Sequence, residues 1–106
     1  MTKTIESYPS SGNVFADLNL PDADELLAKS ELAVRIFKII RRRRLTQAAA
    51  GKVLGISQPK VSALLNGRLD GFSTDRLFRF LNKLGCDVRI TVSPPRAKKL
   101  GRVHVA

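Results

Sequence analysis

The chain has 106 residues, which is enough for one domain with a real core and little else. It carries 19 Lys and Arg against 9 Asp and Glu, a net charge of +10. With 43% apolar and 26% charged residues, the composition argues against wholesale disorder. One cysteine excludes an intrachain disulfide, and one cysteine with one histidine excludes a structural zinc site, which needs about four such ligands. We therefore expect no metal and no other cofactor.

The sequence also narrows the class of protein. No apolar run approaches the roughly 18–20 residues of a membrane-spanning helix, and the start of the chain lacks the pattern of a signal peptide. A soluble cytoplasmic protein is expected. The chain has no Ser/His/Asp set, no carboxylate pair in an apolar setting and no phosphate-binding glycine loop, so an enzyme is not expected.

The charge is distributed unevenly along the chain. Residues 1–34 hold 2 basic and 6 acidic side chains, a net −4, whereas residues 35–106 hold 17 basic and 3 acidic side chains, a net +14. A positive block of that size favours a polyanionic partner, either nucleic acid or an anionic membrane. A membrane surface is the weaker alternative, because the basic residues do not lie opposite a Trp/Phe/Leu-rich helix face. A third explanation of the positive charge is a solvated surface that only favours solubility.

The chain begins with a predicted arm and a long helix. Residues 1–20 are rich in Ser, Gly, Pro and Asn, which predicts a loop-like arm. Its possible apolar anchors are Val14, Phe15, Leu18 and Leu20. A helix is predicted from Pro21, because proline suits a first helical turn and acidic residues suit the positive end of the helix dipole. Ion pairs at helical spacing are expected for Glu25–Lys29 and Glu31–Arg35.

This first helix has two apolar stripes at helical spacing. One consists of Leu26, Leu27, Ala33, Val34, Phe37 and Ile40; the other consists of Leu32, Ile36 and Ile39. One stripe must face the core, and the other is available for the arm, a second subunit or another protein. The helix ends in four arginines, residues 41–44. The helix dipole alone favours them there, and they also carry enough charge to hold phosphates.

Residues 46–66 predict two short helices joined by a tight turn. Thr46 is a good N-cap for the first helix, and Gly55 suits the left-handed position after its end. Ser57 is the next N-cap, with Pro59 in the first turn of the second helix. Gly51 allows the two backbones to approach closely at the crossing. Together these signals predict a helix-turn-helix motif.

The outer face of the second helix carries side chains that suit nucleic acid. Gln58, Lys60 and Ser62 have groups that reach base edges and phosphates. Residues 45–69 contain no acidic residue, which repulsion from phosphate explains and a solvated face does not. A degenerate motif that serves only protein interaction would be expected to lose Gln58 and Lys60 or to gain acids.

Residues 45–67 resemble the Xre/Cro/lambda-repressor helix-turn-helix family. The matching positions are Thr46-Gln47, Gly51, Gly55, Ser57-Gln58, Val61, Leu64 and Asn66-Gly67. The resemblance implies a mainly α, lambda-repressor-like domain of four to five helices whose base-reading residues are Gln58, Pro59, Lys60 and Ser62. By the same resemblance Gln47 buttresses Gln58 and contacts phosphate, and Asn66 contacts phosphate. The other predicted phosphate-contacting residues are Thr46, Arg43, Arg44 and Arg68, of which the arginines are predicted from their charge. Pro59 departs from the hydrogen-bonding residue usual there, so only an apolar contact, for example to a thymine methyl, is implied.

The wider layout is similar to the small HigA-like antitoxins of type II toxin–antitoxin operons. Residues 15–18 (Phe-Ala-Asp-Leu) and residues 69–73 (Leu-Asp-Gly-Phe-Ser) carry this second resemblance. It implies an autorepressor that acts as a homodimer on a double-stranded DNA operator and also binds a RelE/HigB-like toxin. The toxin would contact the arm, the Leu32–Ile36–Ile39 stripe or a strand near the end of the chain. A stand-alone repressor without a toxin remains the alternative.

The last third of the chain predicts one more helix, a strand and a tail. Ser73 is the N-cap and Gly85 the C-cap of the helix, and alternation at Val88, Ile90 and Val92 predicts a strand over residues 87–93. The strand must pair with the arm, with its own copy in a dimer or with a toxin strand, and pairing across the dimer is favoured. The DNA-binding domain is then residues 21–93, and residues 94–106 form a basic, mobile tail.

Overall fold

The structure is a computed structural model that describes residues 3–5, 22–95 and 100–106, with side chains from residue 24 onward. Its helices are α1 (Asp22–Arg42), α2 (Gln47–Leu54), α3 (Gln58–Leu65) and α4 (Thr74–Lys83), and its strands are β1 (Lys3–Ile5) and β2 (Ile90–Val92). The predicted mainly α fold with four helices is confirmed. The predicted arm anchors and the start at Pro21 lie outside the described residues, as do the tail residues 96–99.

All four helices contribute to one core. α1 packs on α4 and α3, while α2 packs on α3 and α4. The fully buried side chains come from every helix and from the α4 C-terminus: Ile36, Leu54, Val61, Leu64, Thr74, Leu77 and Leu84. Phe72, just before α4, meets Phe80 edge to face with ring centroids 5.9 Å apart. This core fixes α2 and α3 against the rest of the chain.

The two apolar stripes of α1 have different surroundings. Leu32 and Ile36 of the second stripe are buried in the core. The first stripe is divided, because Ala33 and Ile40 are buried, whereas Val34 is 50% exposed and Phe37 is 37% exposed. A partner cannot reach the Leu32–Ile36–Ile39 stripe, because the core already covers Leu32 and Ile36 and half-buried Ile39 packs against it. The predicted contact of a toxin with that stripe is therefore wrong.

The strand is present but is shorter than predicted and pairs differently. β2 spans residues 90–92 instead of 87–93, and it pairs antiparallel with β1, with Thr4 opposite Thr91. The start of the chain thus supplies the backbone partner that β2 needs. Self-pairing of the strand across a dimer, the favoured prediction, is not what the structure shows.

The end of the chain lies along α1. Arg102 pairs with the buried Asp24, with Nη2 3.1 Å from Oδ1. Arg35 donates to the backbone carbonyl of Ala106, and Val105 packs against the core. Residues 100–106 are therefore a docked extension of the domain and not the predicted mobile tail. The Glu25–Lys29 pair is confirmed at 3.4 Å, but Arg35 meets Ala106 instead of Glu31.

Candidate nucleic-acid interface

α2 is a helix of eight residues with well-defined ends. The hydroxyl of Thr46 accepts a hydrogen bond from the backbone N–H of Ala49 at 3.1 Å, which confirms the predicted N-cap. Gly55 follows the helix with φ of +74°, a left-handed conformation that costs glycine little. These two local signals fix where α2 starts and where the turn begins.

The turn between α2 and α3 closes tightly over Gly51. The carbonyl of Gly51 accepts hydrogen bonds from the N–H groups of both Gly55 and Ile56, at 2.8 and 3.0 Å. A Cβ at position 51 would lie 2.7 Å from the carbonyl oxygen of Ile56, closer than real Cβ atoms come. The crossing of α2 and α3 therefore requires glycine at this position.

α3 is anchored on one side and polar on the other. Val61 and Leu64 are buried, whereas Gln58, Pro59, Lys60 and Asn66 are exposed and Ser62 is half-buried. Asn66 Nδ2 lies 3.3 Å from Ser62 Oγ, a hydrogen bond that orients the amide at the end of the helix. The predicted base-reading residues thus project from one rigid element.

The electrostatics of this unit favour a polyanion. Neither α2 nor α3 has an acidic residue in its first turn, so no carboxylate offsets the positive N-terminal ends of the helix dipoles. The Ser57 side chain makes no capping hydrogen bond and remains exposed at the start of α3. Basic side chains surround the unit and are exposed to solvent: Arg41, Arg42, Arg44, Lys52, Lys60 and Arg68.

The predicted phosphate-contacting residues fall into two groups. The first group is exposed and consists of Thr46, Gln47, Asn66, Arg68 and Arg44. Among the described residues no hydrogen bond joins Gln47 to Gln58, so the contact by which Gln47 would support Gln58 stays a prediction. Arg43 is engaged elsewhere: its guanidinium donates to the carbonyl of Leu84 at 2.5 Å. It holds the C-terminal end of α4, which a cation stabilises there.

Lys83 makes a contact that was not predicted from the sequence. Its Nζ donates to the carbonyl of Leu54 at 3.0 Å, at the end of α2 beside the Gly55 turn. It thereby ties α4 to the helix-turn-helix unit. The two residues are 29 positions apart, and no local pattern in the sequence signals the contact.

Arg76 is held in place by two aromatic rings. Its guanidinium carbon lies 5.6 and 5.7 Å from the ring centroids of Phe72 and Phe80.

Arg44 ends α1 in a strained conformation. The N–H of Leu45 bonds to the carbonyl of Ile40, and the N–H of Arg44 bonds to that of Arg41, the pattern of a Schellman motif. α3 and α4 end in the same pattern, with glycines at the left-handed position. At the end of α1 this position holds Arg44, with φ of +53°. The strain at this position leads to a prediction about Arg44.

Arg44→Gly is expected to stabilise the fold and weaken DNA binding. Glycine relieves the left-handed strain, worth about 1 kcal/mol, while the loss of the predicted phosphate contact lowers the salt dependence by about one charge. Thermal melting and DNA titration at several salt concentrations measure both effects. Arg44→Ala is the matched control, because it removes the charge and keeps the strain. Equal stability of the two variants would contradict the strain argument.

Two further properties of the described residues bear on function. Among them, no helix is both long and apolar enough to cross a membrane. Residues 22–95 and 100–106, with strand β1, also contain no cluster of three or more His, Cys, Asp or Glu side chains placed to hold a metal ion.

Two short helices crossing at a glycine, with a polar outward side on the second, define a helix-turn-helix domain. The comparisons with known proteins agree: a family model described as a helix-turn-helix domain matches residues 14–93. A solved structure described as an XRE family transcriptional regulator is 48% identical, with a TM-score of 0.75, and the match covers 81% of this chain and 98% of that one. The chain belongs to the XRE family of helix-turn-helix proteins. No curated protein matches it.

Proposed function

We propose that this protein is a cytoplasmic, sequence-specific transcriptional repressor that binds an operator as a homodimer. The observation that carries the proposal is the α2–α3 unit, which presents Gln58, Lys60 and Asn66 on one helix and has no acidic residue over residues 45–69. Repression follows when the bound protein occupies a promoter.

Binding has a non-specific and a specific component. The exposed basic side chains around the unit displace counterions from DNA, which gives affinity for any sequence and strong dependence on salt. α3 enters the major groove, where the Gln58 amide can make two hydrogen bonds to adenine, its nitrogen donating and its oxygen accepting, and Lys60 can reach guanine. Pro59 offers an apolar contact to a thymine methyl. The phosphates on either side would be contacted by five exposed residues, Thr46, Gln47, Arg44, Arg68 and Asn66.

One recognition helix reads too few base pairs to be selective. A homodimer would read two half-sites about one helical turn apart, roughly 34 Å, or a multiple of that distance. Selection of bound sites from random DNA tests this. We expect an enriched sequence with two-fold symmetry, and recovery of unselected DNA would contradict the proposal.

Gln58→Ala is expected to weaken binding to the selected site by about 1–3 kcal/mol and to relax preference at one base position. The reason is that the amide contributes to base reading and carries no charge. Binding to random DNA should stay within a factor of about two, since the counterion term is untouched. Titration of both DNAs in the same buffer measures the two affinities. An equal loss on both would show that Gln58 is not a base-reading residue.

A toxin partner is the finer part of the proposal, and it is supported by the layout of the chain, which is similar to HigA-like antitoxins. The acidic side chains of residues 1–34 would suit a basic RelE/HigB-like toxin. Co-expression with the product of an adjoining reading frame, followed by co-purification, tests this. Absence of a complex would leave a stand-alone repressor.

A further inference from the structure

The exposed side of α1 carries an apolar surface. Its members are spaced three or four residues apart and therefore share one face of the helix: Leu27, Ser30, Val34 and Phe37. Leu27 is 54% exposed and Val34 is 50% exposed, which is unusual for large apolar side chains placed in a row. We refer to these four residues as the α1 seam.

The α1 seam continues into a groove beside the recognition helix. A depression of about 240 Å³ lies between Val34 and Phe37 on one side and the end of α3 on the other. Leu65 and Leu69 line its far wall. The apolar surface therefore extends from α1 to the loop that follows α3.

The spacing of the α1 seam is that of a helix that packs on another helix. Leu27 and Val34 occupy the first position of successive heptads, and Ser30 and Phe37 occupy the fourth. Glu31 and Lys38 lie one heptad apart, so both flank the seam on the same side. Both are exposed, and neither forms an ion pair with a described residue.

We propose that the α1 seam is covered by the α1 helix of a second copy of this chain, packed antiparallel about a two-fold axis near Val34. This inference rests on the dimer of the proposed function and names its surface. An antiparallel two-fold places the same side of each helix face to face, so Glu31 of each copy meets Lys38 of the other. A parallel pair of helices would place Glu31 and Lys38 opposite Leu26 and Ala33, which carry no charge and cannot form an ion pair with them. Apolar burial supplies affinity, and the two ion pairs fix orientation.

Charge exchange tests this arrangement directly. Sedimentation equilibrium of the full chain without DNA should show a dimer at micromolar concentration. Glu31→Lys and Lys38→Glu should each raise the dimer dissociation constant about tenfold, since each creates two like-charge contacts. An equimolar mixture of the two variants should form a heterodimer, and the double variant E31K/K38E should recover wild-type dimerisation. Lys52→Glu is the matched control for Lys38→Glu, because the same charge change on α2 lies off the seam and should leave dimerisation unchanged.

Val34→Glu tests the apolar part of the interface. Because Val34 is half exposed, we expect a folded monomer whose melting temperature is close to that of the wild type at a dilution at which the wild type is also monomeric. Three results would each overturn the proposal. The wild type could be a monomer at 100 µM, about a hundred times the concentration at which the dimer is expected. The charge variants could dimerise like the wild type, or their mixture could form no heterodimer. A variant less stable than the wild type at that dilution would instead show that the seam is covered within one chain. A dimer without operator selectivity would contradict the proposed function alone. A selective dimer whose assembly the seam variants leave unchanged would contradict this interface alone.

Discussion

Lys60→Glu is expected to abolish operator binding, with a loss of at least about 100-fold, or roughly 3 kcal/mol. Lys60 is exposed on α3, and the structure gives that helix no other cation. The substitution removes the predicted base or phosphate contact and places a carboxylate close to the DNA phosphates, which repel it. Fluorescence anisotropy with labelled operator and with scrambled DNA measures both affinities. Full affinity of the variant would exclude α3 from the groove.

The control for this prediction separates position from total charge. Lys52→Glu changes the net charge by the same amount, and Lys52 is also exposed, but it lies on α2 outside the predicted reading face. Its effect should be smaller and similar on operator and scrambled DNA, because it acts through the overall field. If Lys52→Glu were as damaging as Lys60→Glu on the operator, the loss would reflect bulk charge and not recognition by α3.

The features predicted best from the sequence are those set by neighbours in the chain. A Thr hydroxyl caps a helix three residues away, and a glycine ends one within its last turn, so Thr46 and Gly55 could be placed from the sequence. The same holds for Ser73, whose hydroxyl accepts from the N–H of Arg76 at 3.1 Å. The helix-turn-helix unit could be predicted because it consists almost entirely of such local features.

Contacts between distant segments were the part that could not be predicted. Periodicity shows that α1 has two apolar stripes, but which residues face the core depends on where α3 and α4 pack. That packing buries Leu32 of one stripe and divides the other, with Ala33 inside and Val34 outside. In the sequence Arg43 cannot be distinguished from the three arginines beside it. Only the fold shows that its guanidinium donates to the carbonyl of Leu84, 41 residues away. The pairing of β2 with β1 is of the same kind, since an unpaired strand predicts a partner without naming it.

Gly51→Ala is expected to destabilise the domain by about 1–3 kcal/mol, although alanine is the better helix former by about 1 kcal/mol. The new methyl group would lie 2.7 Å from the Ile56 carbonyl oxygen, and that oxygen belongs to the backbone of the turn and cannot rotate away. α3 must therefore move relative to α2. Thermal or urea unfolding measures the loss, which corresponds to a melting temperature lower by about 5–20 °C.

The same displacement separates the two components of DNA binding. Specific binding requires α2 on the phosphates and α3 on the bases at one fixed crossing, whereas counterion release requires only the charges. Gly51→Ala should therefore weaken operator binding more than binding to scrambled DNA at a temperature where the variant is folded. Gly71→Ala is the control, because a Cβ at position 71 has no neighbour within 4 Å and φ there is not left-handed. Its stability and selectivity should match the wild type, and a normal crossing in Gly51→Ala would show that the turn can open without moving α3.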